Sequence, residues 1–182
     1  EFKLENLNYQ DIAIQSVVKI FDGTDKNNFD NSCIEGIRSN TTKLTTVDIE
    51  NNIKNVLLEN GISEEIAKLS NDKDICVEME TGTGKTLVYI KTIYELHKHY
   101  AFTKFIILVP SIAIRQGTLG TFKTFEKQLE SIYGFKVQAF DYDSKKLNKV
   151  TNFIEEQHPQ VMIMTTGAFS SDDRILNRTQ RE

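Results

Sequence analysis

Excess positive charge is missing from this chain. Its 182 residues carry 22 Lys and Arg against 26 Asp and Glu, a formal net charge of −4. It is therefore no basic wrapper of nucleic acid, and any nucleic-acid site has to be a local patch. Cysteine is almost missing as well. The two present, Cys33 and Cys76, stand far apart and form no CxxC pair. With three histidines, His97, His99 and His158, the ligand set of a structural zinc site is not assembled. Cys76 lies in an apolar run and is expected to be a small buried residue. No apolar run approaches the ~20 residues of a membrane-spanning helix, and nothing at the start resembles a signal peptide. The reducing cytoplasm is then the default compartment. An opening methionine is lacking too, and the closing "RTQRE" shows no finishing element, so the chain is expected to be part of a longer protein.

What is present suits one soluble globular domain with a real core and an appendage: 39% hydrophobic and 26% charged residues, with no internal repeat or low-complexity tract. From Lys73 onward the pattern is regular. "DICVEME" (74–80) is β-like. "GKTLVYIKTIYELHKHY" (84–100) is helical, with Leu87, Ile90, Tyr94 and His97 on one face, broadened by Val88 and Ile93. "KFIILVP" (104–110) is an apolar strand ending at a proline. A helix falls within 111–132, where Phe122, Phe125 and Leu129 are spaced three and four apart. "FKVQAFDY" (135–142) alternates like a strand. "SKKLNKVTNFIEEQ" (144–157) reads as a helix capped by Ser144, and "PQVMIMTTGAF" (159–169) as a buried strand followed by a loop.

This alternation implies parallel strands with crossover helices, and continuous apolar strands fit a parallel sheet covered on both faces. The expected fold class is α/β, a three-layer domain. Residues 1–72 differ. "NLNYQDIAIQSVVKIF" starts polar and becomes an amphipathic helix with Ile12, Ile14, Val17, Val18 and Phe21. Residues 22–72 are rich in Asn, Asp, Thr and Ser, with a helix near 46–59 and Gly61 just past its end. They look like an inserted or flanking helical region.

The most informative stretch is "METGTGKT" (79–86). Two glycines let successive N–H groups turn toward phosphate oxygens, and a helix starting at Gly84 aims its N-terminal partial charge at the same place. Lys85 would bridge the β- and γ-phosphates, Thr86 would ligate Mg²⁺, and Thr81 and Thr83 can add hydroxyl donors. The competing reading is a plain glycine turn between a strand and a helix. The preceding β-like run and following apolar helix favour the phosphate loop. The commonest form of this motif has glycine at position 79, where this chain has Met79. The four closing positions carry most of the cradle's geometry, so the departure does not break it.

"METGTGKT" resembles motif I of superfamily 2 helicases, and "LVPSIAIRQG" (108–117) resembles their motif Ia. The run from "VEMETGTGKT" to "PSIAIRQG", with "LNYQDIAIQSVVKIF" before it and "VMIMTTGAF" after it, closely resembles the Res subunit of type III restriction enzymes. The resemblance covers nearly the whole chain and is weakest over 22–60. It implies a P-loop NTPase, RecA-like domain with a parallel sheet, here incomplete, in residues 73–182. Residues 1–72 would supply an adenine-recognition helix and a helical insertion.

Carried over residue by residue, the resemblance makes Gln10 the adenine reader, with Tyr9 or Phe2 able to stack on the base. A glutamine amide offers a donor and an acceptor side by side; the alternative is a surface glutamine at a helix start. Lys85 and Thr86 would be catalytic. Gln10, Thr81, Gly82, Thr83, Gly84, Lys85 and Thr86 would bind ATP and Mg²⁺. Ser111 and the following amides, with Arg115, would contact DNA phosphates, unless Ser111 caps a helix and Arg115 is an ordinary surface residue. Thr165 and Thr166 would bind the DNA backbone, or else form a capped turn. The basic residues Lys145, Lys146, Arg174, Arg178 and Arg181 read as solvated faces.

One motif is lacking. ATP hydrolysis in this superfamily uses Asp-Glu after an apolar strand, and no Asp-Glu dipeptide occurs here. Asp172 and Asp173 lack the apolar run before them. The expectation is the first part of a first motor domain, ending before the acidic strand. By resemblance, the parent is an ATP-dependent restriction enzyme acting on double-stranded DNA, partnered by a modification methyltransferase subunit. Another superfamily 2 translocase and a non-catalytic nucleotide-binding module stay open. A small-molecule kinase fits poorly, because more than seventy residues precede the loop and no Arg-rich lid follows it.

Overall fold

The computed structural model describes residues 4, 7–26, 33, 34, 36–63 and 74–168. The expected boundary at 72 and 73 lies outside the described residues, as do Phe2, Phe169, Asp172, Asp173, Arg174, Arg178 and Arg181. The chain divides into two units, one of residues 1–4, 30–40 and 102–182, the other of 5–29 and 41–101.

The first unit holds a short antiparallel hairpin and a parallel sheet. In the hairpin β1 (Cys33–Ile34) pairs with β2 (Ile37–Arg38), and Gly36, at φ +83°, makes the left-handed turn between them. This hairpin lies in the polar stretch where no strand was expected. The sheet has the order β3-β5-β4, with β3 Lys104–Val109, β4 Gln138–Asp141 and β5 Gln160–Thr165, all parallel. Helix α4 (Ile112–Tyr133) joins β3 to β4, and α5 (Leu147–Glu155) joins β4 to β5. Gly134, at φ +80°, ends α4.

The middle strand explains its own apolar sequence. Gln160 to Met164 are all buried, so β5 is covered on both faces. Met162 and Met164 pack with Tyr142 and Phe153, while Val161 and Ile163 alternate onto the opposite face. A side chain buried this completely contributes about 1.5–3 kcal/mol. The expectation of full coverage fails for β3. Ile106 and Leu108, which share one face of the strand, are 51% and 49% exposed, and among the described residues β3 is also an edge strand. Its first residues are held by a side chain instead of a neighbour strand. Asn40 Oδ1 accepts from the Thr103 and Lys104 N–H groups at 2.8 and 3.0 Å, and its Nδ2 donates to the Lys104 carbonyl at 2.6 Å. The Lys104 ammonium lies over the Phe153 ring and donates to the Glu156 carbonyl. Burial holds its pKa below the usual lysine value.

Helix α5 also starts later than Ser144 suggests. Its N-cap is Lys146 and makes no side-chain cap bond. Asp143 builds a separate turn first, accepting from Lys145 N–H through Oδ1 and from Lys146 N–H through its carbonyl.

The second unit holds α1 (Asn8–Lys19), α2 (Thr46–Glu59) and α3 (Lys85–Tyr100). Ile20, Ile53 and Val56 form a core between the end of α1 and α2. Asn52 Nδ2 fastens the same junction by donating to the Ile20 and Asp22 carbonyls at 3.0 and 2.9 Å. Helix α2 opens with a capping box between Thr45 and Asp48 and closes before Gly61, at φ +77°. The Asp48 carboxyl is held below its usual pKa by the Thr45 hydroxyl and backbone N–H. At the far end of α3, the buried Tyr100 hydroxyl donates to Asp22 Oδ1 at 2.7 Å and reaches the Val18 carbonyl at 3.0 Å. Ile90 and Tyr94 of α3 are fully buried, as the helical spacing predicts.

Residues 74–80 correct the sequence reading. They form no strand, and Ile75, Cys76 and Val77 are exposed. A strand exists only through its ladder partners, and among the described residues none pairs with this segment. A short apolar run alone predicted both the strand and a buried Cys76.

Candidate functional site

The glycine-rich stretch and the start of α1 meet within the second unit. Gly82 and Gly84 both adopt φ +83°. That left-handed conformation is the one glycine takes without a Cβ penalty, and it turns the chain sharply into α3 at Lys85. The α3 N-terminus is open to polar ligands, since its N-cap Gly84 has no side chain to bond the first N–H groups.

Backbone carbonyls of the loop gather its side chains inward. Lys85 Nζ donates to the Met79 and Glu80 carbonyls, each at 2.7 Å. The Thr83 hydroxyl donates to the Glu80 carbonyl at 2.6 Å. Lys85 is nonetheless exposed, Thr86 is half-buried beside it, and Thr81 and Gly82 are exposed. A cation, hydroxyls and helix-terminal N–H groups thus share one short accessible segment. That donor set suits an anion with several oxygens, and the Thr86 hydroxyl is an oxygen ligand suited to a hard divalent cation.

Gln10 is brought to this loop, but not as an exposed helix-start residue. It is buried, and its Nε2 donates to the Thr83 carbonyl at 2.8 Å. Its Oε1 is buried without a partner among the described residues. The Tyr9 hydroxyl donates to the same Thr83 carbonyl at 3.3 Å. Tyr9 also lines a cavity of about 900 Å³ between α1, α2 and residues 75–80, whose walls include Ile12, Ile53, Val77, Met79 and Thr83. The attachment of Tyr9 to the loop was not legible in the sequence, because its partner lies 74 positions away.

The four residues expected to touch DNA gather in the other unit. Register pairs Val109 with Thr165, so β3 and β5 end side by side. Ser111 follows the end of β3 and caps α4, its Oγ accepting from Ile114 N–H at 3.3 Å. Thr165 closes β5, and the exposed Thr166 opens a 3-10 turn, Thr166–Ala168. Arg115 Nη1 donates at 3.3 Å to the carbonyl of Tyr142, the residue after β4. The Arg115 Nε and the Tyr142 hydroxyl are both buried without partners among the described residues. All four residues therefore stand at the carboxyl end of the parallel sheet, where open α/β sheets bind ligands. Lys145 and Lys146 are exposed nearby in the chain, and Lys146 pairs loosely with Asp143 at 3.8 Å.

No described helix is long and apolar enough to cross a membrane. Among the described residues, no group of three or more His, Cys, Asp or Glu is placed to hold a metal ion.

Residues 3–182 match the family described as type III restriction enzyme, res subunit. The chain is 34% identical over 149 residues to the Res subunit of the type III restriction-modification enzyme EcoP15I of Escherichia coli, covering 80% of this chain and 15% of that protein. It is 32% identical over 197 residues to the EcoPI Res subunit of Escherichia phage P1, covering 96% of this chain and 20% of that protein. A shorter match, 54% over 44 residues, links it to the StyLTI Res subunit of Salmonella typhimurium, covering 24% of this chain and 4% of that protein.

Proposed function

Because the chain belongs to the type III restriction enzyme Res-subunit family, with the helices and parallel sheet of part of an α/β, RecA-like domain, we propose that residues 79–86 hold the triphosphate of ATP. The observation carrying this reading is the loop itself. Gly82 and Gly84 are both left-handed and lead directly into an α3 that begins with Lys85. Lys85 exchanges its contacts with the Met79 and Glu80 carbonyls for phosphate oxygens. Thr86 would hold Mg²⁺ through its hydroxyl, and the ion would supply charge stabilisation to the phosphates. Gln10 keeps an unpartnered Oε1 and a second Nε2 hydrogen for the donor–acceptor edge of adenine.

The sheet's carboxyl end is the DNA side in this reading. Ser111 and the first amides of α4, Thr165, Thr166 and Arg115 take phosphates of double-stranded DNA. The matched relatives are named as Res subunits of restriction-modification enzymes, and this chain spans 15% and 20% of the length of the first two. For the whole protein we infer a cytoplasmic, ATP-dependent enzyme. It moves or switches state on DNA before cleavage and works with a modification methyltransferase subunit.

Calorimetric titration of ATP·Mg²⁺ tests the nucleotide site, with GTP as control and Lys85→Ala and Gln10→Ala beside the wild type. Binding lost in Lys85→Ala, and an ATP preference lost in Gln10→Ala, is the expected pattern. A folded wild type whose titration matches that of Lys85→Ala would sink the reading.

A further inference from the structure

Resting on the reading of residues 79–86 as a phosphate loop, we propose that Tyr9 and Gln10 are positioning residues that aim the Thr83–Gly84 peptide at the phosphates, independently of any base. Both donate to one acceptor, the Thr83 carbonyl, Gln10 Nε2 at 2.8 Å and the Tyr9 hydroxyl at 3.3 Å. Both stand in the first turn of α1. A trans peptide is planar, so its N–H points opposite to its C=O. Fixing the Thr83 oxygen toward α1 therefore directs the Gly84 N–H away from α1.

That peptide needs an external restraint. It is the link into Gly84, with Gly82 just upstream, and both are residues for which many backbone conformations are accessible. The restraint comes from two sides. Thr83 Oγ1 donates to the Glu80 carbonyl at 2.6 Å, and the α1 donors hold the Thr83 carbonyl. The same Glu80 carbonyl accepts from Lys85 Nζ at 2.7 Å. An unbroken series of hydrogen bonds then runs from Gln10 through Thr83 and Glu80 to Lys85.

Burial makes Gln10 the stronger partner. Its side chain is out of solvent and its Oε1 is unpartnered. An amide buried at that cost keeps its place through the bond that Nε2 makes. Gln10 thus has two separable tasks: Nε2 fixes the loop, and Oε1 is left for a nucleobase donor.

The test uses a ligand without a base. Mg²⁺·tripolyphosphate and ATP·Mg²⁺ are titrated by calorimetry into the wild type, Gln10→Met, Tyr9→Phe, Lys85→Ala and Val18→Ala. Val18→Ala thins the buried face of α1 and leaves both donors in place. Circular dichroism establishes folding for each. Loss of one such hydrogen bond should weaken tripolyphosphate by about 3- to 10-fold in Gln10→Met, and by less in Tyr9→Phe. Val18→Ala should bind as the wild type does. If Gln10→Met loses ATP affinity and keeps tripolyphosphate affinity, Gln10 reads only the base, and the positioning role is overturned while the phosphate loop stands. An equal loss in Val18→Ala would reduce the effect to general helix stability and overturn the proposal. A folded wild type that binds tripolyphosphate no better than Lys85→Ala would remove the phosphate loop itself.

Discussion

The Gln10 amide nitrogen stands 2.7 Å from where a β-carbon on Gly84 would have to be. Gly84 is therefore needed twice, for its left-handed φ of +83° and for the space that lets Gln10 reach the loop. Gly84→Ala should destabilise the chain by roughly 1–2 kcal/mol from the left-handed conformation alone, and should also dislodge Gln10. In a double-mutant cycle, Gln10→Ala should recover the collision part of the loss and not the backbone part. Equal stability of Gly84→Ala and Gly84→Ala/Gln10→Ala in urea melts would show that Gln10 and the loop do not meet as described.

Lys85→Ala should leave folding nearly unchanged. The side chain is exposed and, among the described residues, bonds the Met79 and Glu80 carbonyls of its own loop. Nucleotide affinity should fall roughly 10- to 100-fold, the worth of charge-assisted hydrogen bonds. Thermal melts with and without ATP·Mg²⁺ separate the two: the apo transition should stay, and the ligand-induced rise should vanish.

Tyr100→Phe removes the donor to Asp22 and the Val18 carbonyl but keeps the ring against Phe21. The cost should be about 1 kcal/mol at neutral pH. Burial raises the Tyr100 pKa, and the hydrogen bond and charge of Asp22 raise it further. A raised folded pKa means that the fold favours the protonated phenol. Its contribution is thus complete below the unfolded value of about 10 and fades as pH climbs toward the folded one. The stability gap between wild type and Tyr100→Phe should be flat from pH 6 to 9 and narrow above 10. A gap that widens at high pH would contradict this sign.

Thr45→Ala breaks the capping box that starts α2, losing the bond from Asp48 N–H to Thr45 Oγ1 at 3.2 Å and that from Thr45 Oγ1 to Asp48 Oδ2 at 2.7 Å. Helix-cap losses of this kind cost about 1 kcal/mol. With Asp48's pKa lowered in the fold, the box helps above the unfolded carboxylate value and lets go as pH falls through the folded one. Acid titration followed by circular dichroism should therefore show the gap between wild type and Thr45→Ala narrowing at low pH, leaving the part owed to the Asp48 N–H bond.

The elements that could be read in advance are those written in local spacing. Helix α2 matches 46–59, because its capping residues and Gly61 are adjacent in the chain. Helix α4 was legible from Phe122 and Leu129, which are both buried. Misreadings arose where distant partners decide. Residues 74–80 carry the short apolar run of a strand, yet among the described residues nothing completes their ladder. Ser144 looked like a cap until Asp143 took the turn. Gln10 and Lys85 could be named from motifs. That Tyr9 and Gln10 both bond Thr83, and that Arg115 turns to Tyr142, depends on positions 27 to 74 residues apart, which no periodicity encodes.

Asn40 does for β3 what a neighbouring strand would do, but only at its first residues. Its amide takes both backbone groups of Lys104, so Lys104 faces away from β5. By the two-residue repeat of a strand, Ile106 and Leu108 face the same way. Among the described residues no strand pairs with their amides, while those of Phe105, Ile107 and Val109 bond toward β5. Deuterium should therefore enter this strand unevenly: quickly at 106 and 108, slowly at the residues between them, and slowly again at 104, where one asparagine stands guard.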